Sequence, residues 1–332
     1  MKLIRYILFP FALLYGVVIR LRHWCYDCGI FRSVSFDIPT ICVGNVSVGG
    51  TGKTPMVEYL IRQLRGTHKV GVLSRGYKRQ RKGFVLAEES STVYDLGDEP
   101  FQFWRKFPEI HLAVDANRVE GIERLIALDN PPDIVILDDA FQHRKVKAKI
   151  NIVLTAYGHL FSDDWLLPTG NLRDIVARVR VADVVVVTKC PEELSEEERV
   201  RITKKLQQRK DQIVVFAEIA YGKEVLSKEA HYPLDTFLEK TFTLVTGIAN
   251  PAPLLRFLRE KKAQFKHLQF ADHHTFSKDE ISKLEKEERI LTTEKDFVRL
   301  EGQLNNVYSL PIEMKFLTER DQKMFGTVFD GL

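Results

Sequence analysis

Residues 40–55 read TICVGNVSVGGTGKTP, an apolar run that passes straight into a glycine-rich loop. Within it, Ser47-Val48-Gly49-Gly50-Thr51-Gly52-Lys53-Thr54 has the form of a P-loop, with Ser47 in place of the usual first glycine of G-x-x-x-x-G-K-[ST]. Glycines let successive backbone N–H groups wrap phosphate oxygens, and the start of the following helix adds its positive dipole end. Lys53 then neutralises β/γ-phosphate oxygens and the Thr54 hydroxyl ligates Mg²⁺, so ATP and Mg²⁺ are the expected ligands. Pro55 sits where a first-turn proline is tolerated, which predicts a strand over Thr40–Gly44 and a helix over Pro55–Arg65.

Outward from this loop, short β-branched runs alternate with longer helical stretches. Strands are predicted over Lys69–Ser74, His111–Val114, Asp133–Leu137, Asn151–Thr155 and Asp183–Thr188, and helices over Arg118–Leu128 and Ser195–Arg209. The pattern is that of an α/β protein, a P-loop NTPase core with a mostly parallel sheet wound by helices. Two extended runs, 213–221 (IVVFAEIAY) and 307–316 (VYSLPIEMKF), bracket a block with its own strand–helix alternation. In that block, strands are predicted over Thr241–Thr246, His267–Phe270 and Arg289–Thr292, and helices over Pro253–Lys262 and Lys278–Lys286. The expected organisation is an N-terminal membrane-associating helix (1–24), the P-loop core (25–212), a linker ribbon of two strands (213–221 and 307–316), a smaller α/β domain (222–306) and a C-terminal segment (317–332).

Mg²⁺ requires oxygen ligands, or acceptors for its waters, at the end of a neighbouring strand. Asp133-Ile-Val-Ile-Leu-Asp138-Asp139 supplies them, because a four-residue apolar run buries a central strand and Asp138 and Asp139 emerge at its carboxyl end. Two further polar groups stand out, Gly97-Asp98-Glu99-Pro100 before a helical stretch and Ala271-Asp272-His273-His274 after a strand. By spacing alone the first is better read as a helix cap, and the second reads plainly as a polar loop.

The chain has 332 residues, 45% hydrophobic and 28% charged, ordinary for a globular protein with a sizeable core. Its formal charge of +4 is supplied by Lys2, Arg5, Arg20 and Arg22, with no acid before Asp27, and the remainder is neutral. No nucleic-acid partner is expected from that balance. Four scattered cysteines exclude a disulfide scaffold and favour a reducing compartment, and Cys25-x-x-Cys28 lacks the second pair that a zinc site needs. From Tyr6 to Ile19 the chain reads YILFPFALLYGVVI, fourteen residues without a charge. That is about 21 Å of helix against a hydrocarbon core of ~30 Å. No small-residue cleavage site follows. Basic flanks with Tyr6, Tyr15, Trp24 and Tyr26 suit a helix lying in, or dipping into, an anionic membrane surface; the alternative is a helix buried in the protein's own core. The basic run Arg75, Lys78, Arg79, Arg81 and Lys82 reads either as a lipid-facing loop or as a solvated one.

Taken together, GNVSVGGTGKTP (44–55), LSRGYKR (73–79), GDEP (97–100), DDAFQHR (138–144), LLPTGNLRD (166–174), TKC (188–190), DHH (272–274) and TEKDFVR (293–299) resemble the tetraacyldisaccharide 4′-kinase family in family order. The resemblance implies transfer of the ATP γ-phosphoryl group to the 4′-hydroxyl of a tetraacylated glucosamine disaccharide 1-phosphate. The product is lipid IV-A, made at the cytoplasmic face of the bacterial inner membrane by a peripheral or monotopic protein. It further implies that Asp98 is the general base, that His273 orients it or tunes its pKa, and that Asp138 and Asp139 serve Mg²⁺. Arg75, Tyr77, Gln142, His143 and Arg173 match the family's motifs as candidate substrate contacts, and the Thr188-Lys189-Cys190 turn as a candidate contact to the base or ribose. Ala140 stands where members often carry glycine. Two competing readings are a membrane-associated P-loop ATPase switch, whose signature lysine is here Val48, and a GTP-driven metallochaperone, whose Cys/His cluster is missing.

Overall fold

The computed structural model of the chain describes residues 5, 7–77, 79–228, 230–272 and 274–332. Eight strands are met first along the chain: β1 (Thr40–Asn45), β2 (Val70–Ser74), β3 (Val85–Leu86), β4 (His111–Val114), β5 (Ile134–Asp138), β6 (Ile150–Ala156), β7 (Val184–Thr188) and β8 (Ile213–Tyr221). Then come β9 (Glu224–Leu226), β10 (His231–Pro233), β11 (Phe242–Thr246), β12 (Phe265–Gln269), β13 (Ile290–Thr293), β14 (Val307–Leu310) and β15 (Ile312–Phe316).

Among the described residues these build a nine-stranded sheet in the order β15-β8-β7-β6-β1-β5-β2-β4-β3 and a six-stranded one in the order β10-β9-β14-β13-β11-β12. In the large sheet, β1 runs parallel to β5 on one side and to β6 on the other. The order therefore reverses at β1, and the crevice beyond the carboxyl ends of β1 and β5 is where such sheets bind ligands. Strands β1, β2, β5 and β7 are buried at every position, as expected of sheets covered on both faces, and this is why they read as unbroken apolar runs rather than alternations.

Residues 307–316, expected as one strand, divide at Pro311. Proline offers no N–H to a ladder. Thus β14 joins the small sheet, parallel to β13, while β15 pairs antiparallel with β8 at the edge of the large one. The chain passes between the sheets at Gly222, whose N–H donates to the Pro311 carbonyl at 2.8 Å.

Five helices position the site. Helix α1 (Phe9–Asp27) lays Ala12, Gly16, Ile19 and His23, one stripe at helical spacing, onto the core. The rest of its surface leaves Phe11, Leu14, Val18 and Leu21 more than half exposed. No helix among the described residues is long and apolar enough to cross a membrane. Helix α2 (Lys53–Leu64) follows the P-loop and packs through Tyr59 on Phe316 and Phe325. Helix α3 (Asp98–Lys106) belongs to the large sheet's layer, α4 (Glu294–Leu300) to the small sheet's, and α5 (Glu319–Gly326) closes the chain. The predicted helix from Ser195 begins one residue later, at Glu196, because the Ser195 hydroxyl accepts the Glu198 N–H as a cap.

Candidate active site

The site starts from the loop that leaves β1. Gly52 caps α2 with φ of 87°, a left-handed backbone that glycine adopts without strain, and no side chain occupies the helix start. The first amides of α2 are thereby left for an anion. The loop is held from several sides. Asn45 Nδ2 donates to Thr51 Oγ1 at 2.7 Å, and the Thr188 hydroxyl donates to the Thr51 carbonyl at 2.8 Å. The Val48 N–H donates to the Asn171 carbonyl at 2.8 Å, and the Arg173 N–H to the Val46 carbonyl at 2.8 Å. Ser47 bridges Leu172, so residues 166–174 lie along the loop like a short added strand. Lys189, at φ of 57°, reaches over the loop: a Cβ placed on Gly50 would lie 3.8 Å from its Nζ. Burial lowers the Lys189 pKa.

At the end of β5, Asp138 is buried, with Oδ2 accepting from the Ser74 hydroxyl at 2.8 Å while Oδ1 has no partner. Burial, reinforced by Glu99 and Asp139, pushes its carboxyl up to about 7. Asp139 adopts φ of 46° and turns the other way. Burial would raise its pKa, but Arg173 and Lys53 outweigh that and hold it low. Lys53 Nζ stands 3.8 Å from Asp139 Oδ1. Arg173 forks onto the same carboxylate and also donates to the Asn45 carbonyl at 3.3 Å. Gln142 Nε2 donates to that carbonyl at 2.6 Å. Arg118, buried, donates to the Asp138 carbonyl at 3.1 Å.

His143 sits beside this cluster with Nε2 buried and without a partner. Burial, then Arg118, Lys145, Arg22 and Arg75, pushes its pKa down to about 4, so the imidazole is neutral. Arg75 is exposed at the end of β2 and faces the same corner. Tyr77 is exposed; its carbonyl lies where a Cβ on Gly97 (φ 89°) would come within 2.7 Å, so only glycine fits at the start of α3.

Asp98 is the first residue of α3 rather than the cap before it, since Gly97 takes the cap position. Its carboxylate receives the Arg299 guanidinium of α4 through two bonds, Nε to Oδ1 at 3.0 Å and Nη2 to Oδ2. Arg299 Nη1 also donates to the His274 carbonyl at 3.2 Å. His273 lies outside the described residues. His274 bonds Glu280, 3.0 Å from Nε2 to Oε2, and stacks on Phe270.

The structure therefore brings the P-loop, Asp138, Asp139, Gln142 and Arg173 into one contiguous cluster, with Arg75 and His143 at its edge. Asp98 approaches from α3, whose Glu99 acts electrostatically on Asp138. Asn45, Ser74, Glu99, Arg118 and Arg299 belong to the same constellation and were not singled out from the sequence. Asn45, Ser74, Glu99 and Arg299 lie within quoted motifs, and Arg118 opens a predicted helix, which were their only signals.

The chemistry of the donors fits a hard cation. An unpartnered buried carboxylate oxygen on Asp138, the ionised Asp139 and the Thr54 hydroxyl at the start of α2 are all oxygen donors.

A family model described as tetraacyldisaccharide-1-P 4′-kinase matches residues 4–329. A Flavobacterium johnsoniae protein named tetraacyldisaccharide 4′-kinase is 46% identical, over 96% of this chain and 95% of its own. A protein of the same name from Bacteroides thetaiotaomicron is 44% identical, over 95% and 90%. The crystal structure of LpxK from Aquifex aeolicus in complex with ATP is similar with a TM-score of 0.79 and 29% identity, over 98% of this chain and 99% of that one.

Proposed function

The chain belongs to the tetraacyldisaccharide 4′-kinase family, and from that premise we propose how its residues carry the reaction. The protein is an ATP-dependent phosphotransferase acting on the 4′-hydroxyl of a tetraacylated glucosamine disaccharide 1-phosphate in lipid A biosynthesis. The P-loop amides and Lys53 bind the β- and γ-phosphates and hold them fixed at the head of α2. Asp98 takes the proton of the 4′-hydroxyl as its oxygen bonds to Pγ and the bond from Pγ to the ADP oxygen breaks. Asp138, Asp139 and Thr54 would hold Mg²⁺, which would supply charge neutralisation on the phosphate oxygens. Arg173 holds Asp139 toward Lys53, Gln142 braces the end of β1 through the Asn45 carbonyl, and Arg75, at the edge of that cluster, faces the acceptor. His273 partners Asp98 by resemblance to the family.

The observation that carries this reading is the opposition of two carboxylate sets. One, Asp138 and Asp139, stands at the phosphate loop. The other, Asp98, is presented by a separate helix whose neighbour Glu99 is close enough to raise the Asp138 pKa. This supports donor chemistry at the phosphate loop and acceptor chemistry at α3.

The acylated, anionic acceptor also accounts for α1. Its exposed Phe11, Leu14, Val18 and Leu21, with Trp165 packed edge-on against Phe9 at 5.5 Å, support peripheral or monotopic seating on a membrane, and a lipid A precursor as acceptor places that seating at the cytoplasmic face of the inner membrane. The test of the site is turnover of Asp98→Ala with the lipid acceptor. Loss of transfer with ATP binding retained is expected, and normal turnover in a folded variant overturns the assignment.

A further inference from the structure

Resting on the assignment of Asp98 as base, we propose that Arg299 is its positioning residue: the α4 guanidinium fixes the Asp98 carboxylate and the His274 backbone carbonyl in one arrangement, so the acceptor half of the site is assembled across the two sheets.

The geometry is specific. Nε and Nη2 of Arg299 meet the two oxygens of Asp98, one each, while Nη1 reaches the His274 carbonyl at 3.2 Å. One side chain thus ties a residue of α3 to the loop after β12. Both side chains are about nine-tenths buried, 12% and 13% exposed, so the pair is shielded from competing water. A planar fork fixes the plane of a carboxylate as well as its distance, which a lysine does not.

The surrounding contacts set the register. Helices α3 and α4 meet through Glu99–Lys295 at 2.9 Å and Lys106–Glu294 at 2.6 Å, with Arg105 reaching Glu301, the residue after α4, at 2.9 Å. Acids at the start of α3 face bases of α4, and bases at its end face acids, which brings Arg299 to Asp98 and to no other acid of α3. Lys106 further bonds Glu58 of α2 at 2.6 Å, linking this docking to the helix that carries Lys53. The outer pairs align the helices, whereas Arg299 alone among them touches the carboxylate that receives the proton. A guanidinium there holds that carboxylate in one plane until the acceptor proton is released.

The test compares full-length Arg299→Met, Arg299→Lys, Asp98→Asn and the double variant Asp98→Asn/Arg299→Met, with acylated disaccharide 1-phosphate in detergent micelles. Arg299→Met should lower kcat roughly 10²-fold, the scale of a misplaced reacting group, with the KM for ATP unchanged. It should also move the acid limb of kcat to higher pH, because the cation beside the base is gone. Lys295, Glu99, Asp272 and His274 face the same corner, as does buried Asp296, 3.9 Å from Arg299 Nη1, and all are common to the four proteins. Arg299→Lys, which keeps the charge without the fork, should give an intermediate kcat with the acid limb near that of the wild type. In the Asp98→Asn background, Arg299→Met should cost nothing further.

Three results overturn the proposal. A wild-type rate and acid limb in Arg299→Met, with Asp98→Asn inactive, removes Arg299 while leaving the base in place. An additive loss in the double variant makes Arg299 a docking residue only. Normal turnover by Asp98→Asn removes the base assignment and the proposal with it.

Discussion

Arg173 and Asp139 form a fork on a carboxylate: Nη1 donates to Oδ2 at 3.1 Å, Nη2 to Oδ1, and the same Nη2 reaches the Asn45 carbonyl at 3.3 Å. Residues 166–174 are thereby bound to both the end of β1 and the loop after β5, the two segments that must hold nucleotide and cation in register.

Replacing Arg173 by lysine keeps a positive charge but offers no second donor in the plane of Asp139. Charge-assisted hydrogen bonds are worth about 1.5–3 kcal/mol, so kcat/KM for ATP should fall roughly ten- to a hundredfold. Steady-state kinetics at saturating lipid acceptor measure this, and unchanged kcat/KM contradicts the role given to the fork.

Asp138 carries a pH signature. Its folded pKa, raised to about 7 chiefly by burial, lies above that of an unfolded aspartate. The native state therefore holds the proton more tightly than the unfolded chain, and stability falls as pH rises from about 4 toward 7. In metal-free protein, Asp138→Asn should have a higher Tm than wild type at pH 8, and the difference should close as pH falls toward 4. Adding Mg²⁺ at pH 8 should raise the Tm of the wild type and not that of the variant, by binding to the folded state. Differential scanning calorimetry reads both, and a lower Tm for metal-free Asp138→Asn at pH 8 counts against the buried, unpartnered Oδ1 as the source of the effect.

The exposed face of α1 makes a prediction about surfaces. Phe11, Leu14 and Val18 are 62%, 62% and 57% exposed, and each apolar side chain buried in the interface contributes about 1.5–3 kcal/mol. Phe11→Asp/Leu14→Asp should weaken sedimentation with vesicles containing anionic lipid by at least tenfold, while far-UV circular dichroism and ATP binding stay the same. Equal sedimentation of variant and wild type would show that α1 does not seat the protein.

The large sheet and its phosphate loop were legible because their signals are local. An apolar run, a glycine-rich turn and a helix start are contiguous at 40–64, and Asp138 and Asp139 end a run whose burial is written in its own residues. What escaped was set by contacts between distant segments. Ser74 bonds Asp138 across 64 residues, and Arg299 bonds Asp98 across 201. Nothing in the spacing of TEKDFVR marks its arginine as facing a carboxylate two hundred positions earlier. The break at Pro311 was legible in principle, since a proline within an extended run cannot serve a central ladder. Gly97 taking the cap in place of Asp98 depends on the approach of the Tyr77 carbonyl, a tertiary contact that propensity does not encode.

The phosphate loop serves transfer to a lipid hydroxyl and not free hydrolysis. The direct measurement is transfer of label from γ-labelled ATP to the acylated disaccharide 1-phosphate, run beside Lys53→Ala and beside an acceptor lacking the 4′-hydroxyl. Labelled lipid is expected with the wild type and the intact acceptor, and none with either control. Label released as inorganic phosphate at the same rate with and without the acceptor, and no labelled lipid, would contradict it and favour an ATPase switch.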